Sequence, residues 1–285
     1  MLIRMFSQGG LRALLQQRGP WSLLKAFVVH AVMSAYVIGL FPGFLLPDRT
    51  RRRMNARKIF FGKRLIWNAK GYWSVAPMPS ASDLNEFYRN AYWEQRGGKH
   101  EGVEKRDIDH FMLLKQHIPD FFDGESKRIV NFGAGHGGIS HLFYLHGHTV
   151  INVEPSPPGL DYGDSHWKHV HSIEEVEGPV DLVYGSHSLE HVQDLESFET
   201  LVKSLLLAGG YVFWEVPNAE HPASGGCNGV IYAPHTYYFT RRYFSNSKYE
   251  ILLNGAFDQR TFPNKLVVEG GGVGEVIRFL GKHSG

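Results

Sequence analysis

The chain has very little cysteine, with Cys227 the only one among its 285 residues. A single cysteine excludes a disulfide bond within the chain, and it excludes a zinc site built from clustered cysteines. We therefore interpret the chain as a protein of a reducing compartment.

Net charge is also scarce, because 30 Lys and Arg oppose 28 Asp and Glu to leave +2. This balance favours neither a nucleic acid nor an acidic partner. The total hides an asymmetry, however. Residues 1–70 contain 13 Lys or Arg and one acidic residue, a charge of +12, whereas the rest of the chain carries −10. The two parts therefore face different surroundings.

The basic part contains the most apolar run of the chain, residues 26–46. Eight basic residues follow between Arg49 and Arg64. A membrane span needs about 20 apolar residues, but Pro42 and Gly43 interrupt this run. Attachment of residues 1–64 to an anionic membrane surface fits the flanking charge better. Two alternatives remain. The apolar run could span the membrane, or helices formed by this region could pack on the rest of the chain or on a second copy.

We predict two regions on this basis. Residues 1–70 form a basic, apolar helical extension that associates with a membrane, and residues 71–285 form the folded domain. The basic cluster favours a cytoplasmic location, peripheral on the inner face of a membrane. The sequence predicts no oligomeric state.

Residues 128–156 have the pattern strand, glycine turn, helix, strand. The turn contains Gly133, Gly135 and Gly137, and the second strand ends at Glu154, about 20 residues later, where nucleotide-binding units place a ribose-binding carboxylate. The pattern indicates an adenosine-containing cofactor. Because Gly133, Gly135 and Gly138 also match G-x-G-x-x-G, a dinucleotide remains open at this point.

Strands and helices alternate after this unit, which predicts a parallel sheet covered on both faces, with ligands at the carboxyl ends of its strands. Further along the chain we predict a helix over 241–253 and two final strands over 257–262 and 273–280, joined by a turn at 270–272.

Five segments together resemble the class I S-adenosylmethionine-dependent methyltransferases: IVNFGAGHGG, VEPS, DLVYGSHSLEHV, LLAGGYVFWEVPN and HTYYFT…LLNGAF. The likeness covers residues 71–285 and is strongest to the branch with ubiquinone-pathway O-methyltransferases and sugar C-methyltransferases. It implies an α/β fold with a Rossmann-like, doubly wound seven-stranded sheet whose last hairpin is antiparallel. Dinucleotide dehydrogenases have no counterpart of LEHV and EVPN in this order, so S-adenosyl-L-methionine is the expected cofactor.

The resemblance also implies a cofactor site. The glycines would lie against the methionine and ribose portions, Glu154 would accept hydrogen bonds from the ribose hydroxyls, and Ser172 with Ile173 would border the adenine. The family usually ends its first strand in Asp or Glu, where this chain has Asn131. The expected cofactor-binding residues are Asn131, Gly133, Ala134, Gly135, Gly137, Glu154, Pro155, Ser172, Ile173 and Ser186.

The expected catalytic residues are His187, Glu190, His191 and His235. The first three would share one side of the first turn of a helix, and His235 would return over the site on a later loop. His191 or His187 could act as general base. The same four residues could instead hold a divalent metal, which resembles the E-x-x-E-H set of small-RNA 2′-O-methyltransferases with His187 in the first acidic position. They could also merely brace the loop.

We therefore predict a methyltransferase that acts on a hydroxyl or carbon of a sugar, glycan or lipid-linked small molecule with a histidine base. One alternative is metal-assisted methylation of a sugar or ribose hydroxyl. The other is a methyltransferase-like subunit that anchors or regulates a partner without catalysis.

Overall fold

The structure is a computed structural model that describes residues 28, 31–32, 35–36, 39–40, 42–45, 58–60, 63–88, 102–155, 167–221, 235–259, 265–266 and 274–285. Parts of the apolar run 26–46 and most of the basic cluster at 49–64 lie outside the described residues, as does the turn predicted at 270–272. Among the residues that are described, none forms a helix long and apolar enough to cross a membrane.

Eleven strands occur in the described part of the chain. They are β1 (Arg64–Asn68), β2 (Tyr72–Ala76), β3 (Arg128–Phe132), β4 (Thr149–Val153), β5 (Lys168–Val170), β6 (Val180–Ser186), β7 (Leu206–Pro217), β8 (Tyr237–Phe239), β9 (Glu250–Asp258), β10 (Lys265–Leu266) and β11 (Val276–Lys282). The α-helices of the same part are α1 (Ala81–Phe87), α2 (Lys105–His117), α3 (Pro119–Phe122), α4 (Gly138–Leu145), α5 (Leu195–Leu205) and α6 (Arg241–Ser245).

The main sheet has eight strands in the order β10-β9-β11-β7-β6-β3-β4-β5. The five strands from β7 to β5 are parallel, and β11 runs antiparallel between β7 and β9. This topology confirms the predicted Rossmann-like α/β fold with an antiparallel final hairpin. The two-residue strand β10 adds an eighth strand to the seven that were predicted.

The central strands are buried on both faces, as their continuous apolar runs require. In β3, Ile129 and Val130 are adjacent and both 0% exposed, yet they belong to different hydrophobic clusters. Ile129 packs with residues of α2 and α4, such as Leu114 and Phe143, whereas Val130 packs in the cluster that contains Val202 of α5. Helices therefore cover both faces of the sheet and hold its strand ends in register.

The helix predicted over 241–253 is wrong in its second half. Helix α6 ends at Ser245, and β9 begins at Glu250. Leu253 lies opposite Leu280 of β11 in an antiparallel pair. A short apolar run such as Ile251–Leu253 does not distinguish helix from strand by itself, and here pairing with β11 decides the outcome.

A second sheet has the order β1-β2-β8. The predicted boundary after residue 70 falls in the turn that joins β1 to β2. This hairpin is tied to the main domain, because β2 pairs with β8 and the hydroxyl of Thr240 donates a hydrogen bond to the carbonyl of Gly71 over 2.6 Å. The hairpin thus positions α1, which follows it, beside the carboxyl ends of the main sheet.

Candidate active site

A cavity of about 580 Å³ opens at the carboxyl ends of the parallel strands. Its walls are the glycine loop after β3, Glu154 with Pro155 after β4, the segment after β6, and parts of α1 and of the start of α2. Small-molecule sites are typically clefts of about 300–1,000 Å³. The cavity therefore has the size and position expected of a cofactor and substrate site in this fold.

The glycine loop is held close to its neighbours. Gly133 has a φ of +70°, and a Cβ atom there would lie 2.5 Å from the Cβ of Ser188, so only glycine fits. The N–H of Gly135 donates a hydrogen bond of 3.1 Å to Oε2 of Glu154, which is only 8% exposed. The loop and the carboxylate thus form one fixed wall of the cavity, to which Ala134, Gly137 and Pro155 also contribute.

Three of the residues predicted to bind the cofactor have their side chains elsewhere. Asn131 is buried beneath the loop and donates to the hydroxyl of Ser140, which in turn donates to Asn152. The hydroxyl of Ser172 donates to Glu174. Ile173 packs in a hydrophobic cluster. Ser186, by contrast, lies in the cavity wall as expected.

The four residues predicted to be catalytic converge, although the expected helix turn is wrong. Leu189–His191 form a 3₁₀ turn, α5 begins only at Leu195, and His187 has a φ of +52°, which is uncommon for a non-glycine residue. Oε1 of Glu190 nevertheless lies 3.3 Å from Nδ1 of His187, 3.9 Å from Nε2 of His191 and 4.0 Å from Nε2 of His235. One carboxylate oxygen thus faces three imidazoles.

Charges in this cluster are strongly coupled. Burial alone would lower the pKa of His187, but Glu190 on one side and Glu215 on the other raise it to about 9. Burial alone would raise the pKa of Glu190, but His187, His191 and His235 lower it to about 2. His187 is therefore protonated at neutral pH and Glu190 is ionised.

Glu190 is only 1% exposed, and neither of its carboxylate oxygens has a hydrogen-bond partner within the described part of the chain. Ligand atoms of Glu190, His191 and His235 all lie within 4.8 Å of one another, close enough to hold a metal ion. The hydroxyl of Tyr88, on the cavity wall, lies 2.7 Å from Nδ1 of His191. The cluster can thus exchange a proton with the cavity or bind a cation.

A second buried network, which was not predicted from the sequence, contacts this cluster, because Oε1 of Glu215 lies 3.4 Å from Nε2 of His187. Glu215 Oε2 accepts from Nε2 of His110 over 2.7 Å and from Nε of Arg278 over 2.8 Å. Arg278 also donates to Asp109 over 2.6 Å, and Nδ1 of His110 lies 2.6 Å from the hydroxyl of Tyr184. One signal for it was present in the sequence, because Arg278 is a charge in the middle of the apolar run from Val276 to Leu280.

Asp107 is another cavity residue that the sequence analysis missed. It lies in the first turn of α2, is 8% exposed, and accepts a hydrogen bond of 2.9 Å from the N–H of Glu104. Its Oδ2 is so close to the loop that a Cβ on Gly138 would lie 2.2 Å away. Burial raises the pKa of Asp107. A carboxyl group therefore faces the start of α4.

One solved structure shares the fold at a TM-score above 0.5, and others are similar at lower scores. The 1,6-didemethyltoxoflavin-N1-methyltransferase of Burkholderia thailandensis is similar with a TM-score of 0.52 and 15% identity, over 79% of this chain and 100% of that chain. TehB of Haemophilus influenzae has a TM-score of 0.43 and 11% identity, over 70% of this chain and 67% of that one. N-methyltransferase NodS of Bradyrhizobium japonicum has a TM-score of 0.43 and 12% identity, over 64% of this chain and 97% of that one.

No curated protein sequence matches the chain significantly. A family model described as "Methyltransferase domain" matches residues 106–249, just over half of the chain. These residues run from the start of α2 to the start of β9 and include the glycine loop, Glu154 and the LEHV and EVPN segments. The chain therefore belongs to the methyltransferase-domain family, which confirms the predicted enzyme class, an S-adenosylmethionine-dependent methyltransferase, and its predicted cofactor.

Proposed function

We propose that the enzyme methylates a hydroxyl or carbon of a sugar, glycan or lipid-linked small molecule, with a histidine as general base. The observation that carries this proposal is the single cavity with two unlike walls. One wall is the glycine loop with Glu154, and the other contains His187 and His191, with the buried carboxylate of Glu190 behind them. Binding of the cofactor on the first wall would leave the second wall to the acceptor.

The residues of the first wall fit the cofactor. The backbone approaches the cavity where a Cβ at Gly133 would collide with Ser188, and the Glu154 carboxylate is oriented by the N–H of Gly135. We propose that Glu154 accepts the ribose hydroxyls and that Asp107, rather than the inward-facing Asn131, offers a carboxylate to the cofactor's amino group. When bound, S-adenosylmethionine supplies a sulfonium methyl group that is open to nucleophilic attack.

Among the histidines, His191 fits the role of base better than His187. His187 has a carboxylate oxygen within 3.4 Å of each ring nitrogen, and with a pKa of about 9 it already carries its proton at neutral pH. A general base works best when its pKa lies near the operating pH. His187 therefore orients Glu190, and His191 is left to accept the proton of the acceptor.

The acceptor class follows from the N-terminal charge and from the predicted branch of the family. A basic, apolar extension would concentrate the enzyme at the anionic, cytoplasmic face of a membrane. Ile66 and Trp67 of β1 are 43% and 44% exposed and lie between basic residues, a composition typical of membrane interfaces. A lipid-linked sugar, or a lipid-like quinone precursor, is the acceptor that such a location favours.

Calorimetry tests the cofactor site. We expect Gly135→Arg and Glu154→Ala together to abolish binding of S-adenosylmethionine, because the first fills the cavity and the second removes the ribose acceptor. Glu177→Ala is the matched control, since Glu177 is exposed and outside the cavity, and it should leave binding unchanged. Undiminished binding by the double variant would contradict the assignment.

Release of S-adenosylhomocysteine tests the acceptor. We expect turnover with a polyprenyl-phosphate-linked hexose or a polyprenylated dihydroxybenzoate, and much less with the free methyl hexoside. Co-sedimentation with vesicles of anionic phospholipid should fall as salt rises, and it should fall further when Arg51, Arg52 and Arg53 are replaced by Gln. The same changes at Lys105, Lys115 and Lys168 serve as the control. Vesicle binding that changes neither with salt concentration nor with the arginine substitutions would contradict the membrane proposal.

Metal-assisted methylation is the second candidate function, and the ligand atoms of Glu190, His191 and His235, which lie within 4.8 Å of one another, favour it. A divalent ion held by Glu190, His191 and His235, with His187 beside it, would acidify an acceptor hydroxyl. Activity after dialysis against EDTA separates the two candidates. Full activity would exclude the metal version, whereas loss of activity with recovery on adding a single divalent metal would exclude the metal-free base.

A further inference from the structure

We infer that Tyr88 is a further catalytic residue, the group through which the proton of an acceptor hydroxyl reaches His191. The inference rests on the proposed transfer to a hydroxyl. Both ring nitrogens of His191 face protein groups. Nδ1 lies 2.7 Å from the Tyr88 hydroxyl, and Nε2 lies 3.9 Å from Oε1 of Glu190. Tyr88 and His191 both line the cavity, so an acceptor held there can contact the hydroxyl that is hydrogen-bonded to the imidazole.

Tyr88 is held in place by its surroundings. It is the C-cap of α1, and its N–H donates to the carbonyls of Leu84 and Asn85. Phe87, directly before it, is 2% exposed and packs in the core. The Tyr88 ring meets the His191 ring edge-on at a centroid distance of 5.4 Å. The amide of Gln193 also donates to the carbonyl of Pro79 over 3.3 Å, which holds the start of α1 to the same loop.

Glu190 completes the chain of groups. Its carboxylate is 1% exposed, and its Oε1 lies 3.9 Å from Nε2 of His191, the ring nitrogen that does not face Tyr88. A fixed negative charge in this position stabilises the imidazolium that forms when Nδ1 takes a proton. The order hydroxyl, imidazole, carboxylate is the arrangement by which enzymes activate a hydroxyl, here with a tyrosine as the hydroxyl that meets the acceptor.

The proposed step balances without any other reactant. The acceptor's O–H bond breaks, and its proton passes to the phenol oxygen of Tyr88 while the phenol proton passes to Nδ1 of His191. The acceptor oxygen bonds to the methyl carbon, and the electron pair of the broken carbon–sulfur bond stays on sulfur. The products are a methyl ether, S-adenosylhomocysteine and one proton held on His191 beside Glu190.

The tautomer of His191 tests this inference without any acceptor. The relay requires that neutral His191 carry its proton on Nε2, facing Glu190, and accept from Tyr88 at Nδ1. A long-range ¹H–¹⁵N spectrum of the full chain labelled with [¹⁵N]histidine, assigned with His191→Gln, distinguishes the two nitrogens. A proton on Nδ1 would overturn the relay, and that is also the state a metal on Nε2 would require.

Tyr88→Phe gives a second readout. We expect the Nδ1 resonance of His191 to shift, and the turnover of a responding acceptor to fall by about 10²–10³-fold, while affinity for S-adenosylmethionine stays within a factor of about two. Tyr211→Phe is the matched control, because it removes a hydroxyl at the opposite end of the sheet. Replacing Tyr88 by 3-fluorotyrosine should restore turnover with a shifted pH profile.

The outcomes separate the relay from the proposed function. Wild-type turnover in Tyr88→Phe would overturn the relay even if methyl transfer to a hydroxyl is correct. If no hydroxyl acceptor responds while His191 carries its proton on Nε2 and shifts in Tyr88→Phe, the relay geometry is supported and the proposed acceptor class is contradicted.

Discussion

Two buried glutamates, 25 residues apart in sequence and both close to His187, differ in how their charge is satisfied. Glu215 is 0% exposed and accepts hydrogen bonds from His110, Arg278 and Ser186. Glu190 is 1% exposed, and in the part of the chain that the structure describes its oxygens accept no hydrogen bond. His187 lies between them, 3.3 Å from Glu190 and 3.4 Å from Glu215.

The difference indicates two roles. A buried charge whose partners are all in place contributes to the rigidity of the fold, whereas a buried polar group left without hydrogen bonds requires a separate explanation. We therefore interpret Glu215 as the support of the wall and Glu190 as its reactive member, and each can be tested against the other.

Glu190→Gln should give the largest effect on catalysis. The amide keeps the shape of the side chain but removes the charge that faces His191, so we expect turnover to fall by about 10³-fold or more, as when the carboxylate of a catalytic triad is lost. Turnover and melting temperature should be measured on the same sample. The comparison fails if Glu190→Gln turns over normally, or if it unfolds as readily as the Glu215 variant described next.

Glu215→Ala should give the largest effect on stability. It leaves Arg278, which is 0% exposed, with Asp109 as its remaining carboxylate partner among the described residues, and breaking a buried ion pair costs about 3–5 kcal/mol. Urea unfolding measures this loss. Glu177→Ala is the control, and at an exposed site it should change the free energy of unfolding by less than about 0.5 kcal/mol. Near-equal stability of Glu215→Ala and Glu177→Ala would mean that Glu215 does not stabilise the fold.

His187→Gln should give the smallest effect, and the effect should depend on pH. The folded pKa of His187, about 9, lies above its ordinary value of 6.5. Its contribution to stability is therefore full below pH 6.5 and lost as the pH rises through 9. We expect the free energy of unfolding of the wild type to exceed that of the variant by about 3 kcal/mol at pH 6, since one pKa unit corresponds to about 1.4 kcal/mol, and by much less at pH 10, as measured by urea unfolding. A stability difference that grows as the pH rises would contradict the assignment of a positive charge to His187 in the folded protein.

The parts of the fold that could be predicted are those that local sequence decides. The β3–glycine–β4 unit is contiguous, so its glycine turn and Glu154 could be located from that segment alone. The grouping of His187, Glu190 and His191 could also be predicted, because all three directly follow β6, although the helical turn expected there is wrong. His235 was placed by the resemblance to a family.

The remaining features depend on contacts between distant residues. His110 and Glu215 are 105 residues apart, and Arg278 and Glu215 are 63 apart, so no local pattern links them. Residues 250–253 form a strand because β11 lies beside them. The side chain of Asn131 turns into the core because Ser140 and Asn152 lie there to bond it, which the strand's sequence alone does not reveal.

The position of β11 between β7 and β9 has a consequence for the order in which the site forms during synthesis. Arg278 is translated after every other member of the buried network, so the nascent chain must hold Glu215 and His110 without the guanidinium until β11 inserts between two strands already made. Pairing of this kind is slow, because it joins segments distant in sequence. The reactive wall thus becomes rigid only after the cofactor-binding half has been translated in full.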